Sequence, residues 1–220
     1  MQPLEGIRVI DVSQVQAGPF CAMMLGDLGA DIIKIEEPGI GDPTRTQGPF
    51  LQGESSGYLG LNRNKRSVSV NLRHPKGQKL VQDMVKQADV FLENSKPGVM
   101  ERLNLGYEKL SALNARLIYC SISGWGSDGP YADRPGFAMT AEAVAGVMSL
   151  TGEPGGEPMR IGYSLLDPVG AVFAFGGIVS ALYARERTGK GQKVETSLLE
   201  AAVATLIVPA YAYLCSGQLP

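Results

Sequence analysis

One histidine, His74, occurs in 220 residues, and the three cysteines, Cys21, Cys120 and Cys215, lie far apart with no CxxC spacing. A His-rich metal site is thereby excluded, and any Ser-His-Asp or Cys-His device would have to use His74. A disulfide framework or zinc ribbon is disfavoured, and the thiols read as buried apolar side chains in a reducing compartment. Charge of neither sign is in excess, since 20 Lys plus Arg against 22 Asp plus Glu leave a net charge of −2. No basic surplus points to nucleic acid or an anionic membrane, and no acidic surplus points to a disordered tail. The N-terminal MQPLEGIRVIDVSQ lacks the basic region and apolar core of a secretory signal. Apolar runs are broken by Gly, Pro or charge before they reach ~18 residues. Internal repeats and low-complexity segments are missing too. What is present is a hydrophobic fraction of 44%, ample for a buried core, and a soluble cytoplasmic protein is expected.

Strand-like and helix-like segments alternate, which predicts an α/β fold with a mostly parallel sheet. Ile7–Asp11 is a β-branched run, residues 19–28 read as a helix stopped at Gly29, and Asp31–Glu36 is a second strand. The stretch from Pro38 to Gly57 is too long for an ordinary connection and is a candidate functional loop. Further strands are expected at Ser67–Asn71, Asp89–Glu93, Arg116–Ile122 and Lys193–Ser197. Lys76–Gln87 places Leu80, Val81, Met84 and Val85 on one helical face, and short helical pieces surround Val99–Leu103 and Tyr107–Leu113. Phe137–Leu150 reads as one Ala-rich helix. Asp167–Arg187 reads as a long helix closed by Thr188-Gly189-Lys190-Gly191, and Leu199–Leu214 as a last apolar helix. The sequence stops at Pro220 without a clear closing element, so a fragment, or a chain that needs a partner, is expected.

A GxGxxG spacing occurs at Gly124–Gly129, but Pro130 and Pro135 follow where a dinucleotide site requires a helix. Those glycines read instead as places where a ligand or another backbone comes close. No GxxxxGK[ST] phosphate loop is present. Asp167 precedes Pro168 at the head of an apolar helix. It can be an N-cap with Pro at N1, or a carboxylate nucleophile whose charged form the helix dipole favours; the two roles are compatible. Arg45 lies in the long loop, and Asn62-Arg-Asn-Lys-Arg66 is a compact basic cluster, either a solvated face or a phosphate site. His74, directly before Pro75, reads as a surface turn residue.

Six separated segments, in order, carry a resemblance. They are PLEGIRVIDVSQVQAGPF, LGDLGADIIKIEEPGIGDPTR, NRNKRSVSVNL, ADVFLENSKPGVMERLNLGYEKL, NARLIYCSISGWGSDGP and DPVGAVFAFGGIVSALYARERTGKGQKVETSLLEA. Together they resemble the class III CoA-transferase family (formyl-CoA transferase or CaiB/BaiF type), which includes α-methylacyl-CoA racemase. By this resemblance Asp167 stands on the family's nucleophilic aspartate. Gln16 and Ala17 fall where an early loop meets CoA near the reacting centre, with Gln16 implied in catalysis as in the formyl-CoA:oxalate branch. Val70, Asn71, Leu72, Arg73, Asn94, Ser95, Lys96 and Arg102 match stretches that line the adenine and phosphate part of the CoA site. Phe137 joins the CoA-contact set at the place where the racemase branch carries a His, and Glu37 stands where the formyl-CoA branch has a basic residue.

The resemblance implies a Rossmann-like large domain with a smaller second domain, in interlocked homodimers. Residues 1–220 would be the N-terminal part of the large domain, without the small domain or the returning C-terminal segment. The implied activity is transfer of CoA from an acyl-CoA donor to a carboxylic acid, through an acyl-aspartyl anhydride and an aspartyl-CoA thioester on Asp167. The Gln16–Ala17 backbone is the implied oxyanion donor. CoA and acyl-CoA enter as substrates, with no metal and no prosthetic group. The implied partners are acyl-CoA and a carboxylic acid, not nucleic acid or a membrane. Racemisation of a 2-methylacyl-CoA is the enzymatic alternative, weakened by the missing His, because α-proton exchange needs a base on each face of the substrate. A silent CoA-binding or dimerisation fragment is the alternative outside catalysis.

Overall fold

Short β-branched runs separated by helix-length segments bury both faces of a sheet when the strands run parallel and the helices cover them. The computed structural model, which describes residues 1–219, has this arrangement. Its strands are β1 (Arg8–Asp11), β2 (Asp31–Glu36), β3 (Phe50–Leu51), β4 (Glu54–Ser55), β5 (Lys65–Ser69), β6 (Val90–Glu93), β7 (Ile118–Ser123) and β8 (Lys193–Ser197). Its helices are α1 (Ala17–Asp27), α2 (Ser56–Asn62), α3 (Pro75–Val85), α4 (Val99–Arg102), α5 (Tyr107–Leu113), α6 (Ala138–Ala145), α7 (Leu166–Thr188), α8 (Leu198–Thr205) and α9 (Ile207–Ser216). Six strands form one parallel sheet in the order β5-β2-β1-β6-β7-β8, and β3 and β4 form a separate hairpin.

The pleat alternates side chains between two cores. Val9, Ile32, Val90, Leu92, Ile118 and Cys120 face α1 and α7, whereas Ile10, Ile35, Phe91 and Tyr119 face α3 and α5. Register keeps the layers aligned, with Val9 opposite Ile32 on one side and Val90 on the other. The chain runs outward from β1 through β2 to β5, then returns to β6 on the other side of β1. The strand order therefore reverses between β1 and β6, and an open α/β sheet offers its ligand crevice at the carboxyl ends beside such a reversal.

Several elements differ from the sequence reading. The strand expected at Ser67–Asn71 lies two residues earlier as β5, because Lys65 and Arg66 find carboxylate partners and can enter the sheet. The Phe137–Leu150 helix is broken at Gly146, whose φ of +87° ends α6 and leads into a 3-10 turn at Val147–Leu150. Leu199–Leu214 is two helices bent by 67°; Pro209 lacks an N–H and its ring would clash with the carbonyl of Thr205, the last residue of α8. The long loop holds a 3-10 turn at Pro43–Thr46 and the β3–β4 hairpin before α2. Cys21 and Cys120 are buried as expected, but Cys215 is exposed on α9.

Helix α7, at 23 residues, is long and apolar enough to cross a membrane, so counting unbroken apolar runs understated it. Its small residues serve a different purpose here. Ala171, Ala174 and Ala181 are buried, a Cβ on Gly170 would meet Leu198 and Ala201 of α8, and one on Gly177 would meet Val194 of β8 at 2.6 Å. Near its C-terminus the buried Arg185 pairs with Asp89 at 2.9 Å.

Candidate active site

A cavity of about 710 Å³ opens at the carboxyl ends of the sheet, and the segments that follow all six strands contribute to its wall. Val12 and Gln14–Ala17 follow β1, Glu36 ends β2 with Glu37 after it, and Val70–Arg73 follow β5. Asn94 and Ser95 follow β6, Ser123 and Gly124 close β7, and Leu198 follows β8. Asp167 from α7, Arg102 from α4, Phe137–Met139 around the start of α6, and Arg160 complete it. Of the residues singled out from sequence, Gln16, Ala17, Val70, Asn71, Leu72, Arg73, Asn94, Ser95, Arg102, Phe137 and Asp167 all line this one cavity. Lys96 does not. It lines smaller side cavities, and its ammonium donates to the Asp133 carbonyl.

The β1–α1 loop is pinned from every side. Asp11 accepts from the Ser13 N–H at 3.0 Å, and Lys34 Nζ donates to the Ser13 carbonyl at 2.8 Å. The Asn94 amide bonds Gln14 twice, receiving its N–H and donating to its carbonyl, each at 2.8 Å. Val15 N–H points at the Asp42 carboxylate, itself paired with Lys34 at 2.9 Å. These restraints hold Val15 at φ +67°, an unusual conformation for a β-branched residue and a sign of a fixed loop. The loop delivers Gln16 and Ala17 to the start of α1, where the first N–H groups of a helix lack intrahelical acceptors. Burial would raise the Asp11 carboxyl, but Lys65, Lys34 and Ser13 outweigh it and hold it below the usual carboxylate range.

Asp167 lies in the first turn of α7 and does not cap it. The helix starts at Leu166, no side chain caps its N-terminus, and the Ser164 hydroxyl donates to the Asp167 carboxylate from one turn before. The capping half of the sequence reading is thus replaced, because Leu165 is already helical and moves the start forward. Burial raises the Asp167 carboxyl above its ordinary value, and the Ser164 hydrogen bond only partly opposes this. A carboxylate with a raised pKa is a stronger base and nucleophile than a solvated one.

Other motifs turn out to be structural. In the basic cluster, Arg63 pairs with Asp27 at 2.6 Å, Lys65 with buried Asp11 at 3.1 Å, and Arg66 with Asp31 at 2.6 Å. Arg63 and Arg66 are exposed, as a solvated face requires, while the Lys65 side chain is buried, and all three cations already have carboxylate partners. Arg45 grips Glu36 through two 2.8 Å bonds and stacks on Tyr58. Burial would raise the Glu36 carboxyl, yet Arg45, Ser67, the Asp42 N–H and Tyr58 bring it down to about 2. His74 is exposed and accepts from the Lys76 N–H at the start of α3, in keeping with its reading as a turn residue. Gly124 packs on Gly136, where a Cβ would fall 2.5 Å from the Gly136 Cα, so a second backbone is what comes close there. Glu37, facing Arg73 at 3.8 Å, puts an acid on the rim. Arg160 and Met139 went unnoticed in the sequence, since neither belongs to a motif or a periodic face.

The comparisons with known proteins agree with this geometry. The family model described as CoA-transferase family III matches residues 4–220. Succinyl-CoA:glutarate CoA-transferase of Mus musculus is 45% identical over 215 residues, covering 97% of this chain and 49% of that protein. Acetyl-CoA:oxalate CoA-transferase of Acetobacter aceti is 45% identical over 219 residues, covering 99% of this chain and 56% of its own. The crystal structure of a CAIB/BAIF family protein from Brucella suis superposes with a TM-score of 0.95 at 42% identity, covering 100% of this chain and 59% of that one. The chain spans about half the length of the curated relatives it matches. With a reversed-order parallel sheet, a cavity at its switch point and a family match from residue 4 to the end, the chain belongs to CoA-transferase family III.

Proposed function

We propose that the protein transfers CoA from an acyl-CoA donor to a carboxylic acid, with Asp167 as the covalent nucleophile. One observation carries the reading: a half-buried carboxylate in a helix's first turn, bonded to a single hydroxyl, on the wall of a cavity built by six strand ends. Arg73 and Arg102 supply cations for the CoA phosphates, while Val70, Leu72 and Val99 offer apolar surface to the rest of the cofactor-like substrate. Asn94 works indirectly, because both ends of its amide are committed to the Gln14 backbone.

The chemistry balances without water or redox partners. An Asp167 oxygen attacks the donor thioester carbonyl, the C–S bond breaks, and CoA thiolate leaves an acyl-aspartyl anhydride. The thiolate attacks the aspartyl carbonyl, expelling the donor carboxylate and forming an aspartyl-CoA thioester. The acceptor carboxylate displaces the thiolate, forming a second anhydride. The thiolate then takes the acceptor acyl carbon and restores Asp167. Each tetrahedral step places negative charge on an oxygen, and we assign its stabilisation to the Gln16 and Ala17 N–H groups at the start of α1. Racemisation is disfavoured because Phe137, which stands where the resembling racemase branch carries a His, lines the cavity with a side chain that has no proton to exchange. The relatives' names pair glutarate with succinyl-CoA, and oxalate with acetyl-CoA, so a dicarboxylic acid is the proposed acceptor class.

Protein incubated with acyl-CoA and then hydroxylamine is expected to carry a hydroxamate on Asp167, read by peptide mass spectrometry. Asp167→Asn is expected to lower transfer by about a thousandfold or more, since the covalent route is lost. Full transfer by Asp167→Ala would sink the proposal.

A further inference from the structure

Glu142, on α6, is fully buried, and neither oxygen of its carboxylate has a hydrogen-bond partner among the described residues. A buried carboxylate in that state is strongly unfavourable unless a cation stands near it. Among the described residues one does: Arg160 Nε lies 3.9 Å from Glu142 Oε2. Arg160 itself is about half exposed, lines the cavity that contains Asp167, and makes no hydrogen bond among the described residues. Glu142 stands one helical turn after Ala138 of the cavity wall, and α6 packs against α7, whose first turn carries Asp167. The guanidinium therefore stands at ion-pair distance from Glu142 without a hydrogen bond to it, on the side of the cavity served by α6 and α7. Arg73 and Arg102 approach from the segments after β5 and β6, and Arg73 already faces Glu37.

We propose that Arg160 reads the second carboxylate of a dicarboxylic acyl group while the first carboxylate reacts at Asp167, and that Glu142 is the positioning residue that holds it. This rests on the CoA-transfer reading above. A guanidinium has five donors in a planar fork; its Nε is the atom near Glu142, and the two terminal nitrogens suit a bidentate carboxylate. Pairing with Glu142 also means that the empty cavity carries no isolated cation at this point. A monocarboxylic acid of equal length would leave those donors unmatched, which is how a polar site rejects an analogue lacking the group.

The test compares glutarate with pentanoate as acceptors from succinyl-CoA, using the protein expressed from its complete reading frame. Because a covalent intermediate separates the half-reactions, kcat/KM for the acceptor reports on the acceptor step. Wild type is expected to favour glutarate. Arg160→Met, which keeps the aliphatic stem, is expected to lower kcat/KM for glutarate about 10–100-fold, as for loss of a charged hydrogen-bond pair, and to lower it far less for pentanoate. Arg160→Lys is expected to restore part of the preference. Glu142→Gln is expected to raise KM for glutarate with kcat largely kept, a split that general loss of structure would not produce. An active wild type indifferent to the second carboxylate, or an Arg160→Met variant with an unchanged glutarate-to-pentanoate ratio, overturns this inference alone. A wild type that transfers CoA to neither acid overturns the CoA-transfer reading with it.

Discussion

Glu93 closes β6 with a buried carboxylate that accepts the Ser95 N–H at 2.6 Å and the Ser121 hydroxyl, and burial pushes its pKa up from 4.5 to about 7. The folded state thus holds a proton there that the unfolded chain gives up earlier. Its stabilising contribution is complete below pH 4.5 and disappears as the pH rises through 7. Glu93→Gln keeps an acceptor for Ser95 and stays neutral. It is expected to melt near the wild-type temperature at pH 5 and roughly 2–4 °C higher at pH 8. Parallel Tm-against-pH curves for the two proteins would show that the group does not titrate in this window. At this scale the sequence was legible where residues sit in motifs, and Asp167, Gln16 and the Val70–Arg73 run do share one cavity. It was not legible for Arg160 and Glu142, which become partners only after a glycine ends α6 and turns the chain. In the Asn62–Arg66 cluster the solvated face holds for Arg63 and Arg66, and only the burial of the Lys65 side chain escaped the sequence, since its carboxylate partner lies on another element.

Between elements, the tightest fits occur where backbone meets backbone. Gly77, in the first turn of α3, has no room for a side chain, as its Cβ would lie 2.0 Å from the Asn71 carbonyl oxygen. In an open helix Gly→Ala gains about 1 kcal/mol. Gly77→Ala is expected to reverse that sign and lose about 2 kcal/mol or more in urea unfolding. Because Asn71 lies on the cavity wall, the proposed CoA site is expected to weaken as well, read by calorimetry with CoA. A stabilised variant would show that the loop after β5 yields freely. Lys65→Met tests a different joint. Removing the ammonium that serves Asp11, the Pro19 carbonyl and Asn62 leaves Asp11 buried with one fewer counter-charge, and about 3–5 kcal/mol is expected to be lost. Strands β2 and β8 were legible to the residue, because their bounds coincide with an alternating or β-branched run. The α8–α9 break was not, because an apolar stretch reads as one helix until the clash at Pro209 is considered.

Over the whole molecule, apolar surface is unevenly distributed. No residue of α9 is buried, and Ile207, Val208, Tyr211 and Leu214 are exposed along it, with Val172 and Phe173 of α7 and Val203 of α8 exposed as well. A surface of this kind needs a cover. Residues 1–220 expressed by themselves are expected to self-associate with rising concentration and to bind a hydrophobic dye. A Val208→Glu, Leu214→Glu variant is expected to do both less, measured by sedimentation and fluorescence. Equal sedimentation of the two proteins would show that the face is not sticky in solution.

The spread of the cavity wall along the chain, from Val12 to Leu198, also has a meaning for synthesis. A ribosome delivers Asp167 before β8 and Leu198, which are the last strand and the last residue of that wall. Its elevated pKa comes first from burial, so on an unfinished chain it is an ordinary solvated acid. The cavity and the finished sheet therefore come into being together, and in the reading proposed above a half-made protein has no buried aspartate to offer an acyl-CoA.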